Sequence, residues 1–131
     1  MAIWKPVLLA VQASVLAAGL AGLFQSTANA AELLMLERRG CVWCDRWHAE
    51  IGPIYAKTRE GAVAPLRRID LDGEWPDDLE NIVREHVTPT FVLVHDGEEI
   101  DRLRGYAGDQ FFWFLVDEML RKLPNGLDTS G

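Results

Sequence analysis

One apolar run dominates the first thirty residues of the chain. It extends from Val7 to Phe24, Lys5 is the only charged side chain among these thirty residues, and Ala28-Asn29-Ala30 follows with the small residues of a cleavage site. We therefore predict that residues 1–30 are a secretory signal peptide and that the mature chain begins at Ala31. Because about 20 apolar residues also suffice to span a bilayer, an uncleaved membrane anchor is the alternative.

After Ala31 the pattern changes to short segments typical of strands and helices. Glu32–Arg38 is a nearly continuous apolar run, which predicts a buried strand. Apolar side chains then recur at the spacing of one helical face, at Trp43, Trp47, Ile51 and Ile54. Pro53 lies inside this helix and cannot donate to the carbonyl of Ala49, so we expect a kink or a new start there.

Two more strands and a hairpin are predicted in the second half of the chain. Pro65–Leu71 is a strand that ends at a turn, and Thr90–Val94 is the most strand-like run of all. Asp96-Gly97 then turns the chain into a further strand, Glu99–Arg104, which predicts an antiparallel hairpin.

Two more helices are predicted around this hairpin. The first begins at Pro76, and its inward face consists of Leu79, Ile82, Val83 and His86. The last extends from Asp109 to about Leu123, and its core face consists of Phe112, Leu115, Val116, Met119, Leu120 and Leu123. The order β-α-β-α-β-β-α favours parallel pairing of the first two strands. We therefore predict an α/β fold, a four-stranded mixed sheet with helices on both faces.

Length and charge limit the functions that the chain can have. Residues 31–131 form a chain of 101 residues, enough for one domain with its own core. These residues carry 12 basic and 20 acidic side chains, a net charge of −8. Such a charge argues against binding to nucleic acid or to anionic membrane surfaces. We expect a monomer that needs no cofactor.

The chain contains two cysteines, Cys41 and Cys44, at the predicted junction of the first strand and the first helix. In an oxidising compartment outside the cytoplasm the two should pair. The positive end of the helix dipole favours a thiolate at Cys41. Since a thiolate is the nucleophile of thiol-disulfide exchange, the spacing and position favour a redox-active pair.

Two other interpretations of the cysteines remain open. A structural disulfide that closes so small a loop would stabilise the fold by only about 2 kcal/mol, so a redox role is favoured. A metal-binding carrier would use Cys41, Cys44 and His48, although a structural zinc site normally has four ligands. Asp45 rather than histidine follows Cys44, which excludes covalent haem attachment.

The Cys41–Cys44 motif after the first strand and Thr88-Pro89 before the third together resemble the active-site layout of the thioredoxin superfamily. The resemblance covers about Glu32 to Leu123. Within the superfamily, the chain resembles the small exported thioredoxins encoded with bacterial sulfur-oxidation (Sox) genes, the SoxS type. Four stretches carry this similarity: Gly40–Tyr55, Ala64–Asp70, Thr88–Leu93 and Gly105–Trp113.

The resemblance implies a minimal thioredoxin fold with a cis bond before Pro89, and a substrate groove beside the disulfide. Thr88 and Pro89 would line that groove, with Val42 and Trp43 on its rim. One position departs from the family pattern, because Met35 stands where many thioredoxins have a buried carboxylate six residues before the first cysteine. The nearest acid, Glu37, is expected to point to a different site, so Cys44 must lose its proton to water or to another group.

The sequence thus predicts an exported thiol-disulfide oxidoreductase in which Cys41 attacks a partner disulfide and Cys44 resolves the mixed disulfide. The resemblance implies a periplasmic reductase that keeps the cysteine of a sulfur-carrier protein reduced, with electrons from a membrane thiol donor. A periplasmic disulfide oxidase or isomerase is the alternative within the enzymes.

Overall fold

The computed structural model describes residues 31–126, so the predicted signal peptide and its cleavage site lie outside the described residues. Four strands are present: β1 (Ala31–Glu37), β2 (Leu66–Asp70), β3 (Thr90–His95) and β4 (Glu98–Arg104). The α-helices are α1 (Val42–Glu50), α2 (Gly52–Tyr55), α3 (Arg59–Val63) and α4 (Asp109–Leu120), and Asp77–Leu79 forms a single 3-10 turn. Within the described part of the chain, none of the helices is long and apolar enough to cross a bilayer.

The strands form one mixed sheet in the order β2-β1-β3-β4. β1 pairs in parallel with β2 and antiparallel with β3, and β3 pairs antiparallel with β4. The β3–β4 turn places both Asp96 and Gly97 at positive φ, 52° and 80°, the conformation that a two-residue hairpin loop requires. The four-stranded α/β architecture and its hairpin are confirmed.

The predicted interruption at Pro53 is also confirmed. α1 ends at Glu50, and a new short helix, α2, begins at Gly52 with the proline at its start. An N–H at this position would have no acceptor within the helix, so its absence in proline costs no hydrogen bond. The predicted inward face is only partly correct. Trp47 and Ile51 are fully buried, whereas Trp43 and Ile54 are exposed and Tyr55 occupies the buried position instead.

The predicted helix after Pro76 is wrong. Only one 3-10 turn forms there, and Val83 and His86 are exposed although Leu79 and Ile82 are buried. Side chains from other parts of the chain explain the difference, because the Trp75 indole donates to the Leu79 carbonyl at 2.8 Å and Arg102 donates to the Val83 carbonyl at 2.9 Å. These carbonyls therefore have partners other than the N–H groups of a continuing helix.

The core lies in two layers, one on each face of the sheet. On the first face, α1, α2 and α4 cover Leu33, Met35, Phe91 and Leu93. On the second face, the 3-10 turn and its flanking loop cover Leu34, Leu36, Ile69, Val92 and Val94. All the α-helices that contribute to the core thus pack on the first face. The predicted four-stranded mixed sheet with helices on both faces is confirmed, although the second face carries a 3-10 turn in place of the predicted α-helix.

Candidate active site

The two cysteines occupy the first turn of α1, directly after β1. Gly40 has a φ of 77° and turns the chain from the strand into the helix, and Cys41 is the N-cap residue. Cys41 and Cys44 form a disulfide, with their Cα atoms 5.2 Å apart, within the usual range for such a bond. The backbone N–H of Cys44 also donates to Cys41 Sγ at 3.1 Å. A hydrogen bond of this kind strengthens when its acceptor is ionised, so it favours a thiolate at Cys41.

The two sulfurs have different surroundings. Cys44 is 2% exposed and belongs to the apolar core of the first face, together with Met35. Cys41 is only half-buried and packs at the edge of the same core. A partner molecule can therefore reach the sulfur of Cys41 more easily than that of Cys44.

The register of the sheet brings Thr88-Pro89 to the same edge as the cysteines. Leu36, near the end of β1, pairs with Thr90 at the start of β3. The segment after β1, which carries Cys41, and the segment before β3 therefore leave the sheet side by side. The Thr88–Pro89 peptide bond is cis, as the resemblance implied, and the Pro89 carbonyl accepts from the N–H of Gly105 at 2.7 Å.

Exposed apolar side chains surround this edge. Val42 is 73% exposed and Trp43 is 51% exposed at the first turn of α1. Thr88 is half-buried and Pro89 is buried. Val87, which precedes them, is exposed as well, although the sequence analysis did not select it. Its position directly before the Thr88-Pro89 pair is the signal that would have identified it.

A polar network ties α1 to the loop after β4. Arg46 donates to Glu50 at 2.8 Å, and the Tyr106 hydroxyl donates to the other carboxylate oxygen at 2.5 Å. These hydrogen bonds, from Arg46 first and then from Tyr106, lower the pKa of Glu50, while burial and Glu50 raise the pKa of Tyr106. The Arg46 guanidinium lies 5.7 Å from the centre of the Trp43 ring, which restrains the tryptophan beside the cysteines.

Glu37 and His48 form a pair that the sequence analysis missed. The two side chains meet at 2.5 Å between Glu37 Oε2 and His48 Nε2. The expectation that Glu37 points to a different site is wrong, because Glu37 is two residues after Met35 and so lies on the same face of β1, towards α1. Glu37, His48 and Cys44 line one cavity of about 290 Å³ at the end of the sheet.

The metal-binding interpretation receives no support from the arrangement of side chains. Among residues 31–126, no group of three or more His, Cys, Asp or Glu side chains is placed to hold a metal ion. Cys41 and Cys44 are bonded to each other, and the His48 imidazole is turned to Glu37.

Solved structures of other proteins share this fold. The chain is similar to the periplasmic thioredoxin SoxS from Paracoccus pantotrophus, in its reduced form, with 40% sequence identity over 70% of this chain and 97% of that one, and a TM-score of 0.64. It also resembles the thioredoxin of Malassezia sympodialis, with 22% identity over 70% of this chain and 76% of that one, and a TM-score of 0.51. The thioredoxin of Fasciola hepatica has 21% identity over 70% of this chain and 82% of that one, with a TM-score of 0.52. The last two show the fold alone.

No protein-family model and no curated protein matches the chain. The similarity to SoxS nevertheless covers nearly the whole of that protein. The structure of this chain has the features that the resemblance to the thioredoxin superfamily implies: the mixed sheet, the Cys41–Cys44 pair at the start of α1 and the cis bond before Pro89. With fold, site and sequence similarity in agreement, the chain belongs to the thioredoxin superfamily and is a thiol-disulfide oxidoreductase.

Proposed function

We propose that Cys41 is the attacking cysteine and Cys44 the resolving cysteine of a periplasmic reductase. In the reduced protein the Cys41 thiolate attacks a partner disulfide, forms a mixed disulfide and releases one partner thiol. Cys44 then attacks Cys41, which releases the second partner thiol and leaves the Cys41–Cys44 disulfide. Two electrons pass to the partner. The observation that carries this assignment is the contrast between half-buried Cys41, which accepts an N–H hydrogen bond, and Cys44 in the core.

The substrate groove in this proposal lies between the first turn of α1 and the segment before β3. Val42 and Trp43 form its rim, since both are exposed beside Cys41. Thr88 and Pro89 form its floor, because the sheet register brings them to the same edge. An extended segment of the partner would lie along this edge with its disulfide facing Cys41.

The similarity to a periplasmic thioredoxin named SoxS supports the partner class that we propose. We infer that residues 1–30 are removed on export, that residues 31–131 act in the periplasm, and that the partner is a sulfur-carrier protein whose cysteine must be kept reduced. A membrane thiol protein would return electrons to Cys41–Cys44. The net acidic charge of residues 31–131 is consistent with a protein partner rather than a nucleic acid.

Trapping the partner tests this proposal. Cys44→Ser leaves Cys41 able to attack but removes the group that resolves the mixed disulfide. Expressed in its own periplasm, this variant should accumulate covalent complexes that dissolve on addition of a reductant. Cys41→Ser is the matched control and should form none, since Cys44 is buried.

The identity of the trapped species separates the candidate functions. A sulfur-carrier protein and a membrane thiol protein support the proposal. Many unrelated secreted proteins would instead favour a general disulfide oxidase or isomerase. If neither variant traps a protein and the reduced parent binds stoichiometric zinc or copper, the redox assignment fails and the metal carrier using Cys41, Cys44 and His48 replaces it.

The reduction potential tests the direction of electron flow. A reductase should have a potential nearer to about −270 mV, as in thioredoxin, than to about −120 mV, as in strong periplasmic oxidants. Equilibration of the Cys41–Cys44 pair against glutathione measures it. A potential near the oxidant end contradicts the reductase assignment and leaves the fold untouched.

A further inference from the structure

Cys44 must lose a proton before it can attack Cys41, and its immediate surroundings offer no base. Its side chain is 2% exposed, and it packs in an apolar core with Met35 and Trp47. A thiol attacks a disulfide only as the thiolate, and an apolar environment disfavours that charged form. A proton acceptor within reach of Cys44 would therefore determine how fast the mixed disulfide is resolved.

Glu37 and His48 form a fixed pair close to this position. His48 Nε2 lies 2.5 Å from Glu37 Oε2, and Arg68 Nε donates to the other carboxylate oxygen, Oε1, at 2.7 Å. The Glu37 side chain is 13% exposed and that of His48 is 28% exposed, so both are partly shielded from solvent. A carboxylate held from both sides in this way fixes the position of the imidazole.

The pair and Cys44 share one cavity. His48 follows Cys44 by four residues in α1, which places the two on the same side of the helix. Cys44, His48 and Glu37 all line the cavity of about 290 Å³, which is also lined by exposed residues and so opens to solvent. A cavity of this volume has room for several water molecules, each of which needs roughly 30 Å³. Water can therefore carry a proton between the thiol and the pair.

We propose that His48, held by Glu37, accepts the proton of Cys44 when the mixed disulfide is resolved. The Cys44 S–H bond breaks and its proton passes through cavity water to Nδ1 of the imidazole, whose Nε2–H faces Glu37, and the ring becomes an imidazolium. The Cys44 thiolate forms the bond to Cys41 Sγ, and the partner sulfur leaves with the electron pair of the broken disulfide. Glu37 accepts the Nε2–H of the imidazolium. His48 is thus a proton-accepting residue and Glu37 its positioning residue.

The other charged groups of the cavity cannot replace His48 near neutral pH. They are Arg38, Arg39 and Arg68, whose guanidinium groups only donate, and Asp45 and Asp70, whose side chains are exposed to solvent. A neutral imidazole accepts a proton at its unprotonated nitrogen, and histidine is the side chain that most often serves as a general acid or base.

Single-turnover kinetics measure the resolving step by itself. The reduced protein is mixed with an aromatic disulfide that releases a coloured thiolate each time one of its sulfurs is displaced. The first, concentration-dependent phase reports attack by Cys41, and the second, concentration-independent phase reports resolution by Cys44. In the parent, the rate of the second phase should rise as the imidazole loses its proton and then level off.

His48→Gln removes the base but keeps an amide N–H that can donate to Glu37. We expect the second phase to slow at least about tenfold at neutral pH, with the histidine inflection replaced by a steady rise towards alkaline pH. Glu37→Gln should slow the second phase less and keep an inflection. External imidazole should restore part of the rate in His48→Ala, since the cavity opens to solvent.

Control variants and the parent profile make the proposal falsifiable. His86→Gln changes an exposed histidine outside the cavity and should leave both phases unchanged. If the parent shows no inflection in the histidine range, or if His48→Gln retains the parent profile, the proposal is overturned. The proposal is also overturned if Asp45→Asn, rather than His48→Gln, removes the inflection. These outcomes do not depend on which partner the protein reduces.

Discussion

The two faces of the sheet are covered in different ways, and each supports a different half of the active site. The first face carries the cysteine helix on a closely packed aromatic core. Trp47, Phe91 and Phe112 lie with their ring centres 5.0–5.6 Å apart. The two contacts of Phe112 are edge-to-face, a geometry that adds to the burial of the rings and fixes their orientation. The position of the cysteines therefore rests on apolar packing.

The second face is covered by a 3-10 turn and an irregular segment that leads into Thr88-Pro89. Charged contacts hold this segment. Arg67 binds both carboxylate oxygens of Asp78, at 2.6 and 3.0 Å, and Arg104 donates to Glu85 at 2.5 Å. Leu79 and Ile82 are its fully buried apolar side chains. The segment that leads into Thr88-Pro89 therefore depends on charge more than α1 does.

Because of this difference, we expect α1 and the segment before Pro89 to respond differently to salt and pH. Buried apolar contacts are insensitive to ionic strength, whereas exposed ion pairs are screened by it. We expect α1 to open only when the whole domain unfolds and the segment before Pro89 to open locally.

The largest expected effect is a loss of stability when the aromatic core of the first face is disrupted. Trp47→Ala removes a fully buried ring and should lower the free energy of unfolding by about 3–5 kcal/mol. Trp43→Ala is the matched control, because Trp43 is half-exposed at the start of the same helix, and it should cost less than about 1 kcal/mol. Denaturant unfolding of both variants measures the difference. Equal losses would show that the packed face does not support α1 in the way described.

An intermediate effect is expected in the exchange of backbone amides. Amides of residues 80–88 should exchange by local opening, and added salt should speed their exchange by weakening the ion pairs of Arg67 and Arg104. Amides in the middle of α1 should exchange far more slowly and without a comparable response to salt. Hydrogen exchange followed by mass spectrometry tests both regions in one sample. Uniform protection across the two would contradict the comparison.

The smallest expected effect is on the melting temperature, when the charge of the Glu85 carboxylate is removed. The N–H of His86, and then Arg104, lower the pKa of Glu85 to about 2 in the folded protein. A lowered folded pKa means that ionised Glu85 stabilises the fold fully above its unfolded pKa, about 4.3, and loses this contribution as the pH falls towards 2. The parent should therefore melt slightly above Glu85→Gln at neutral pH.

Melting curves of the two proteins at several pH values test this expectation. The difference in Tm should shrink through the window between the unfolded and folded pKa values. A constant difference across that window would mean that Glu85 acts through its shape and not its charge.

The sheet could be predicted from the sequence, and the cover of its second face could not. The strands are apolar runs that end at turn residues, and such patterns are local. The segment after Pro76 also has helical spacing, but Trp75 and Arg102 bind its carbonyls, and the contact with Arg102 joins residues 19 apart in sequence. No local pattern encodes such a contact.

The same distinction applies to the site. The spacing of Cys41 and Cys44 and the Thr88-Pro89 pair are short motifs, so their positions followed from the sequence. The Glu37–His48 pair joins β1 to α1 across 11 residues, and it emerges only when the two elements pack. The spacing of Glu37 and Met35 in β1 was misjudged in the sequence analysis, which expected Glu37 at a different site. The identity of its partner also depended on the angle at which the helix crosses the sheet.

The central claim is that Cys41 attacks and Cys44 resolves, and the order in which they react with an alkylating agent tests it most directly. The reduced protein is treated briefly with iodoacetamide at a series of pH values, and each cysteine is quantified by mass spectrometry. Cys41 should react before Cys44 at every pH, because Cys41 is less buried. Its reaction should also begin at a lower pH than that of a free thiol, whose pKa is about 8.5, because its sulfur accepts the N–H of Cys44. Cys44 should lag well behind. Alkylation of Cys44 first, or of both at equal rates, would contradict the account.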